Sequence, residues 1–154
     1  KGSLYYQNED YEEALEIYNR LMELNEENID LLYNKGACHF NLEEYDEAIE
    51  SFNQGLEHDE EELDLWFYKG VALYNKDRLQ ESMDSLNEVV KRDQKRDDAW
   101  LFKAKVAAKQ GENKLVKAFL KRAVDLNEEN SDKAADDEAF DEYRNEDFYK
   151  EIIG

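Results

Sequence analysis

The chain repeats itself every 34 residues, and this period constrains its fold more than any single motif does. Leu21-Met22-Glu23-Leu24-Asn25-Glu26-Glu27-Asn28 returns three periods later as Ala123-Val124-Asp125-Leu126-Asn127-Glu128-Glu129-Asn130. Two copies lie between: Asn34-Lys35-Gly36 matches Tyr68-Lys69-Gly70 and Phe102-Lys103-Ala104, and Lys1-Gly2 stands one period earlier. A repeat of this length marks an array of stacked units, each needing its neighbours, in place of one central core.

Within each period the apolar residues recur three and four apart, as in Leu32, Gly36, His39 and Phe40, then Tyr45, Ala48, Ile49, Phe52 and Leu56. That is helix spacing twice, interrupted at Asn41 to Glu44. Each unit is therefore expected to be two helices joined by a short turn, too small to bury its own apolar faces alone. Gly36, Gly70 and Ala104 on the first helix, facing Ala48, Ser82 and Val116 on the second, would let the axes approach closely, with Trp66, Trp100, Phe52 and Leu86 filling the space around them. The chain has no proline, six glycines and no Asn-Gly turn, so nothing competes with an all-α fold.

The pattern resembles the tetratricopeptide repeat family. Trp66, Gly70, Leu73, Leu79, Ser82, Leu86 and Val89 stand where that family keeps its aromatic, glycine, bulky apolar, alanine, aromatic and small residues. Gly2, Tyr5, Tyr11, Ala14 and Tyr18, and Gly36, Tyr45, Ala48 and Phe52, match more closely still. The resemblance spans residues 1–130 and implies four repeats, 1–28, 29–62, 63–96 and 97–130, forming a right-handed α-solenoid with first helices beginning near Ile29, Leu63 and Asp97. Residues 131–154 are expected to form a C-terminal helical cap: the period places another first helix over Ser131–Ala139, and the segment from Asp137 on resembles the terminal segment found behind such arrays, two short helices anchored by Phe140, Tyr143, Phe148 and Ile152.

Two departures from the family carry expectations. Glu26, Glu60, Gln94 and Glu128 replace the proline that usually ends the second helix, so the inter-repeat turns should be less rigid. Asn113 replaces an aromatic in the fourth repeat, whose helices should pack more loosely. Lys1 falls inside a first helix, so the first repeat is expected to be truncated, the protein to be longer, and an apolar edge near Leu4 and Tyr5 to be partly exposed.

In this family the first helices line a groove. The positions that face it here are Tyr6 and Gln7; Tyr33, Asn34, Ala37, Phe40 and Asn41; Phe67, Val71, Tyr74 and Asn75; and Leu101, Lys105, Ala108 and Lys109. Aromatic rings alternating with amides suit an extended peptide, because rings cover apolar side chains while each amide offers donors and an acceptor to peptide N–H and C=O groups. Against this stands the reading that Tyr33, Phe40, Phe67 and Tyr74 only seal neighbouring helices, and that Asn41 and Asn75 are helix ends.

Charge bears on the partner. The formal net charge is -20, which opposes nucleic acid and anionic membranes, yet residues 91–122 hold 11 basic and 4 acidic side chains. Lys105 and Lys109 could hold a partner's carboxylate; the competing reading is that they neutralise this chain's own Asp136, Asp137 and Glu138. The two-carboxylate clamp of some family members is not reproduced, since Tyr33, Phe67, Val71 and Leu101 occupy its places.

Two further ladders have structural explanations. Asp30, Asp64, Asp98 and Asp132 suit the first turn of a helix, and Lys1, Lys35, Lys69 and Lys103 suit long stems packed on the previous unit with charged heads in water. His39 and His58 are accompanied by no catalytic or metal-binding motif, and Cys38, alone in its helix, reads as an inert core thiol. No cofactor, metal or catalytic residue is expected. No apolar run approaches the roughly 20 residues of a membrane span, and a single cysteine gives no sign of an oxidising compartment, so the cytoplasm is the expected location. These features point to a scaffold or adaptor module binding a protein or peptide partner. The alternatives are a self-association module working through the N-terminal edge and the recruiting arm of a larger enzyme.

Overall fold

The computed structural model describes residues 10–24 and 28–154, and the chain divides into two compact units, Lys1–Arg78 and Leu79–Gly154. The division falls inside the third repeat, between its two helices.

The first unit contains α1 (Tyr11–Glu23), α2 (Ile29–Asn41), α3 (Tyr45–His58) and α4 (Leu63–Asn75). Each helix packs on the next, and among the described residues the buried side chains gather in local clusters between neighbouring helices. Ala14 and Tyr18 of α1 close on Leu31 and Cys38 of α2. Ala48 and Phe52 of α3 bury against Leu65 of α4, while Ile49 meets Ala72 and Leu73. Fully burying a side chain such as Phe52 contributes about 1.5–3 kcal/mol. Gly36 makes room for that ring: a Cβ there would stand 2.4 Å from Phe52 Cε1.

The second unit contains α5 (Leu79–Arg92), α6 (Asp97–Lys109), α7 (Asn113–Leu126), α8 (Glu129–Asp136), a 3-10 helix (Glu138–Tyr143) and α9 (Asp147–Ile153). The fourth repeat does not pack loosely. Ala99, Ala104, Val106 and Ala107 of α6 and Val116, Leu120 and Ala123 of α7 have no exposed surface, and Asn113 accepts a hydrogen bond from Tyr143 Oη at 3.2 Å. Small side chains on α6 bring the two helices close, and the C-terminal segment braces the position where the aromatic is missing. That segment is α8, near where the period places a further first helix, followed by two short helical elements, the first of them a 3-10 helix. Phe140 and Tyr143 are buried as expected, Phe148 and Ile152 only half-buried, and Tyr149 is a buried anchor that the spacing did not single out.

Two of the proline-free inter-repeat turns, those at Glu60 and Gln94, are restrained by side chains. The Trp66 indole N–H donates to Glu60 O at 2.8 Å, and that of Trp100 donates to Gln94 O at 3.0 Å. Each tryptophan thereby ties down the residue at which the family has proline. Within repeats, Glu43 and Asp77 (both φ 60°) and Gly111 (φ 72°) hold the left-handed conformation at equivalent positions. Glu44 N–H reaches His39 O, Arg78 N–H reaches Leu73 O and Glu112 N–H reaches Ala107 O, all at 2.9 Å, closing the same six-residue helix end three times.

The aspartate ladder lies in the first turns, but the helix-capping bonds come mainly from residues just before it. Asn28 accepts from Leu31 N–H at 2.8 Å, and Glu62 accepts from Asp64 N–H at 3.3 Å. Asp98 instead pairs with Arg96 at 2.9 Å and accepts from Ala99 N–H.

Candidate functional site

Tyr6, like Lys1, Gly2, Leu4, Tyr5, Gln7 and Glu26, lies outside the described residues. The remaining candidates fall on α2 (Tyr33, Asn34, Phe40 and Asn41), α4 (Phe67, Tyr74 and Asn75) and α6 (Leu101, Lys105 and Lys109).

In the first unit, Tyr33 is half-buried, with its ring edge-on to Tyr68 at 5.6 Å between centroids and tilted against Phe52 at 6.5 Å. It also lines, with Ile29, Asp30, Glu62 and Asp64, a cavity of about 200 Å³. Phe40 meets Tyr45 edge-on at 5.4 Å and touches two core clusters. Tyr74 and Asn34 are half-buried. Phe67 is 8% exposed and, in the second unit, Leu101 is 9% exposed. This corrects their reading as open groove contacts: apolar area withdrawn from water is worth about 25 cal/mol per Å², so both are drawn into packing.

The two asparagines behave alike. Asn41 Nδ2 donates to Ala37 O at 2.7 Å, and Asn75 Nδ2 donates to Val71 O at 3.1 Å, in each case to the carbonyl four residues back on the same helix. Both side chains are exposed, so the tether fixes the amide and leaves Oδ1 as an acceptor facing outward.

In the second unit the candidate cations have different surroundings. Lys105 Nζ lies 2.8 Å from Asp137 Oδ2 and 4.6 Å from the Phe102 ring centroid, so it meets the chain's own tail. Lys109 is exposed at the end of α6.

The lysine ladder needs one correction. Lys35 packs as expected on the preceding helix, its Nζ 3.9 Å from Met22 Sδ, and Lys69 Nζ sits 5.0 Å from the Trp66 ring centroid. Lys103 does not keep its head in water. It is 5% exposed, with Nζ 4.5 Å from the Trp100 centroid and 4.3 Å from that of Phe119, and burial lowers its pKa to about 8. The cause is local. Phe119 stands where the two preceding repeats have Ser51 and Ser85; around Lys35, Ser51 instead borders a polar cavity of about 330 Å³.

Periodicity also missed Asp97, which accepts from Nδ2 of Asn127 at 3.1 Å and of Asn130 at 2.8 Å. Burial alone would raise the Asp97 pKa; these hydrogen bonds turn the net shift downward. Cys38 is fully buried with no disulfide, and burial pushes its thiol up to about 11. His39 Nδ1 meets Glu44 Oε2 at 2.7 Å. Among the described residues no group of three or more His, Cys, Asp or Glu is arranged to hold a metal ion, and no helix is long and apolar enough to cross a membrane.

Comparison with known proteins gives this geometry a family. Tetratricopeptide repeat models match residues 29–62 and 97–130, and a further TPR repeat model matches residues 2–43. The structure is similar to the crystal structure of YrrB, a TPR protein with an unusual peptide-binding site, at 25% identity over 82% of this chain and 65% of that one, with a TM-score of 0.77. It is similar in fold to MamA, at 16% identity over 99% of this chain and 90% of that one, TM-score 0.84. MamA from Desulfovibrio magneticus RS-1 gives 14% identity over 88% and 74%, TM-score 0.78. This chain thus spans just under two thirds of the YrrB chain. No curated protein matches its sequence. With repeat models matching residues 2–62 and 97–130 and the structures of YrrB and MamA superposing on its fold, the chain belongs to the tetratricopeptide repeat family and has that family's all-α solenoid architecture.

Proposed function

We propose that this chain is a protein–protein interaction module that binds an extended peptide against its first helices, at Tyr33, Asn34, Phe40 and Asn41 on α2 and at Tyr74 and Asn75 on α4. Family membership and the likeness to YrrB, a protein with a peptide-binding site, support the interaction role. One observation carries the peptide reading. Asn41 and Asn75, one period apart, are exposed and tethered through Nδ2 in the same way, so each offers Oδ1 in the same local orientation. Two matched acceptors suit the N–H groups of an extended chain, and the half-buried rings of Tyr33 and Tyr74 offer apolar surface on the same two helices. Lys109 stands one period beyond Asn75, where a cation replaces the amide.

The test selects peptides from a displayed random library on the intact chain and measures their affinity for wild type, Asn41→Ala/Asn75→Ala and Tyr33→Ala/Tyr74→Ala by fluorescence anisotropy. Losing two hydrogen bonds should weaken binding roughly tenfold or more, with helicity unchanged by circular dichroism. Selected peptides that bind the amide variant as tightly as wild type would overturn this reading.

A further inference from the structure

We propose that the C-terminal segment is a built-in competitor: Asp137 occupies a carboxylate-accepting position at Lys105 and Phe102 on α6, which an acidic segment of a partner peptide must take over in order to bind there. This rests on the peptide-binding reading and adds a ligand class and a means of regulation.

The occupied site is itself the main observation. The two oxygens of Asp137 divide their work: Oδ1 accepts from Ala139 N–H at 2.9 Å, starting the 3-10 helix, and Oδ2 meets Lys105 Nζ at 2.8 Å. The pair is largely shielded, with side-chain exposures of 17% for Lys105 and 25% for Asp137, and the Phe102 ring lies 4.6 Å from the ammonium. A carboxylate is thus already seated on a lysine of the fourth repeat's first helix.

The segment that carries the occupant is anchored apart from the Asp137 charge, by the buried Phe140, Tyr143 and Tyr149. The 3-10 helix packs on α6, Tyr143 Oη reaches Asn113 at 3.2 Å, Arg144 Nη1 donates to Ala135 O at 2.6 Å, and Tyr149 Oη donates to Ala134 O at 2.8 Å. Most of these bonds hold the segment to itself and to α8. The charge of Asp137 is a separate link, to the face of α6.

Charge favours an acidic ligand here, although the chain as a whole is acidic. Residues 91–122 carry 11 basic and 4 acidic side chains, and Lys109 lies one helical turn beyond Lys105, exposed on the same side of α6. A tethered carboxylate acts at the high effective concentration of an intramolecular partner, so a free acidic peptide binds only weakly until Asp137 is displaced.

The experiment uses the full chain and a short fluorescein-labelled peptide of glutamate, leucine and tyrosine, with its glutamate-to-lysine counterpart as control. Affinities are measured for wild type, Asp137→Asn, Lys105→Met and the double variant. Asparagine keeps an oxygen for Ala139 N–H while losing the charge, so the segment stays folded, which hydrogen exchange of residues 138–153 verifies. Asp137→Asn should bind the acidic peptide about three- to tenfold more tightly than wild type, and Lys105→Met should abolish that gain. The lysine peptide should not respond. An unchanged acidic affinity in Asp137→Asn, no acidic binding by any variant, or an equal gain for the lysine peptide would each overturn the proposal. Loss of binding in Asn41→Ala/Asn75→Ala with no response to Asp137→Asn sinks this inference alone. A gain in Asp137→Asn with no effect of the asparagine variant sinks the amide reading instead.

Discussion

The Lys103 ammonium lies between two aromatic rings, 4.5 Å from the centroid of Trp100 and 4.3 Å from that of Phe119, and no carboxylate among the described residues pairs with it. The rings attract the cation by roughly 0.5–2 kcal/mol, while burying an unpaired charge costs several kcal/mol. The balance is recorded in a pKa lowered from 10.5 to about 8.

This makes stability depend on pH in a definite direction. Below about pH 8 both folded and unfolded chains hold the proton, and the full cost of burying the charge is present. Between pH 8 and about 10.4 the unfolded chain binds more protons, so this site's contribution to stability rises with pH. Lys103→Met, which keeps the volume, should stabilise the protein by about 1–3 kcal/mol at pH 7, and its advantage should fade as pH approaches 10. Denaturant titrations of both proteins across this range check it. Phe119→Ser, restoring the residue type of Ser51 and Ser85, should return Lys103 to water and remove the slope; a pH-independent gap between wild type and Lys103→Met would contradict the account.

What the sequence made legible follows the same division between period and exception. The 34-residue period, together with the family resemblance, was enough to read helices starting at Ile29, Leu63 and Asp97, because each repeat copies the pattern of its neighbours. It could not distinguish Lys103 from Lys35 and Lys69, since what differs is Phe119, on another helix. It equated Asn28 with Asn130, yet the first caps a helix through Leu31 N–H while the second is buried and donates to Asp97 and to Ala123 O. Nor did it suggest that Trp66 and Trp100 restrain the turns, because indole N–H bonds to a carbonyl six residues back leave no mark on hydrophobic periodicity. Of the candidate site, residue positions were legible, but whether a ring was open or buried was not. Tyr33 and Phe67 occupy equivalent positions, yet Phe67 is buried and Tyr33 only half so.

The left-handed turns supply a second prediction. Glu43, Asp77 and Gly111 share one backbone conformation, and only Gly111 adopts it without a steric cost to its Cβ. That cost is about 1–2 kcal/mol, partly offset by the greater freedom glycine has in the unfolded chain. Glu43→Gly and Asp77→Gly should each stabilise by about 0.5–1 kcal/mol, and Gly111→Ala should destabilise by about 1 kcal/mol. Thermal melts of the three variants decide it; stabilisation by Gly111→Ala would show that the turn relaxes to another conformation.

The third prediction concerns Asp97, whose carboxylate gathers the amides of Asn127 and Asn130. Asn130 has no exposed surface and also donates to Ala123 O at 2.9 Å, joining the end of α7 to the start of α6. Asn130→Ala removes these bonds and opens space in a packed site, so it should cost about 2–4 kcal/mol at pH 7. The folded-state pKa of Asp97 is lowered, so the stability it contributes is present above the ordinary carboxylate pKa near 3.9 and is lost as pH falls through the lowered folded value. The gap between wild type and Asn130→Ala should therefore narrow in acid, and Asp97→Asn should lose this component of acid sensitivity. Urea titrations at pH 7 and pH 3 test both statements; a gap that stays the same at the two pH values would mean that Asn130 acts only through packing and its bond to Ala123, with no part played by the Asp97 charge.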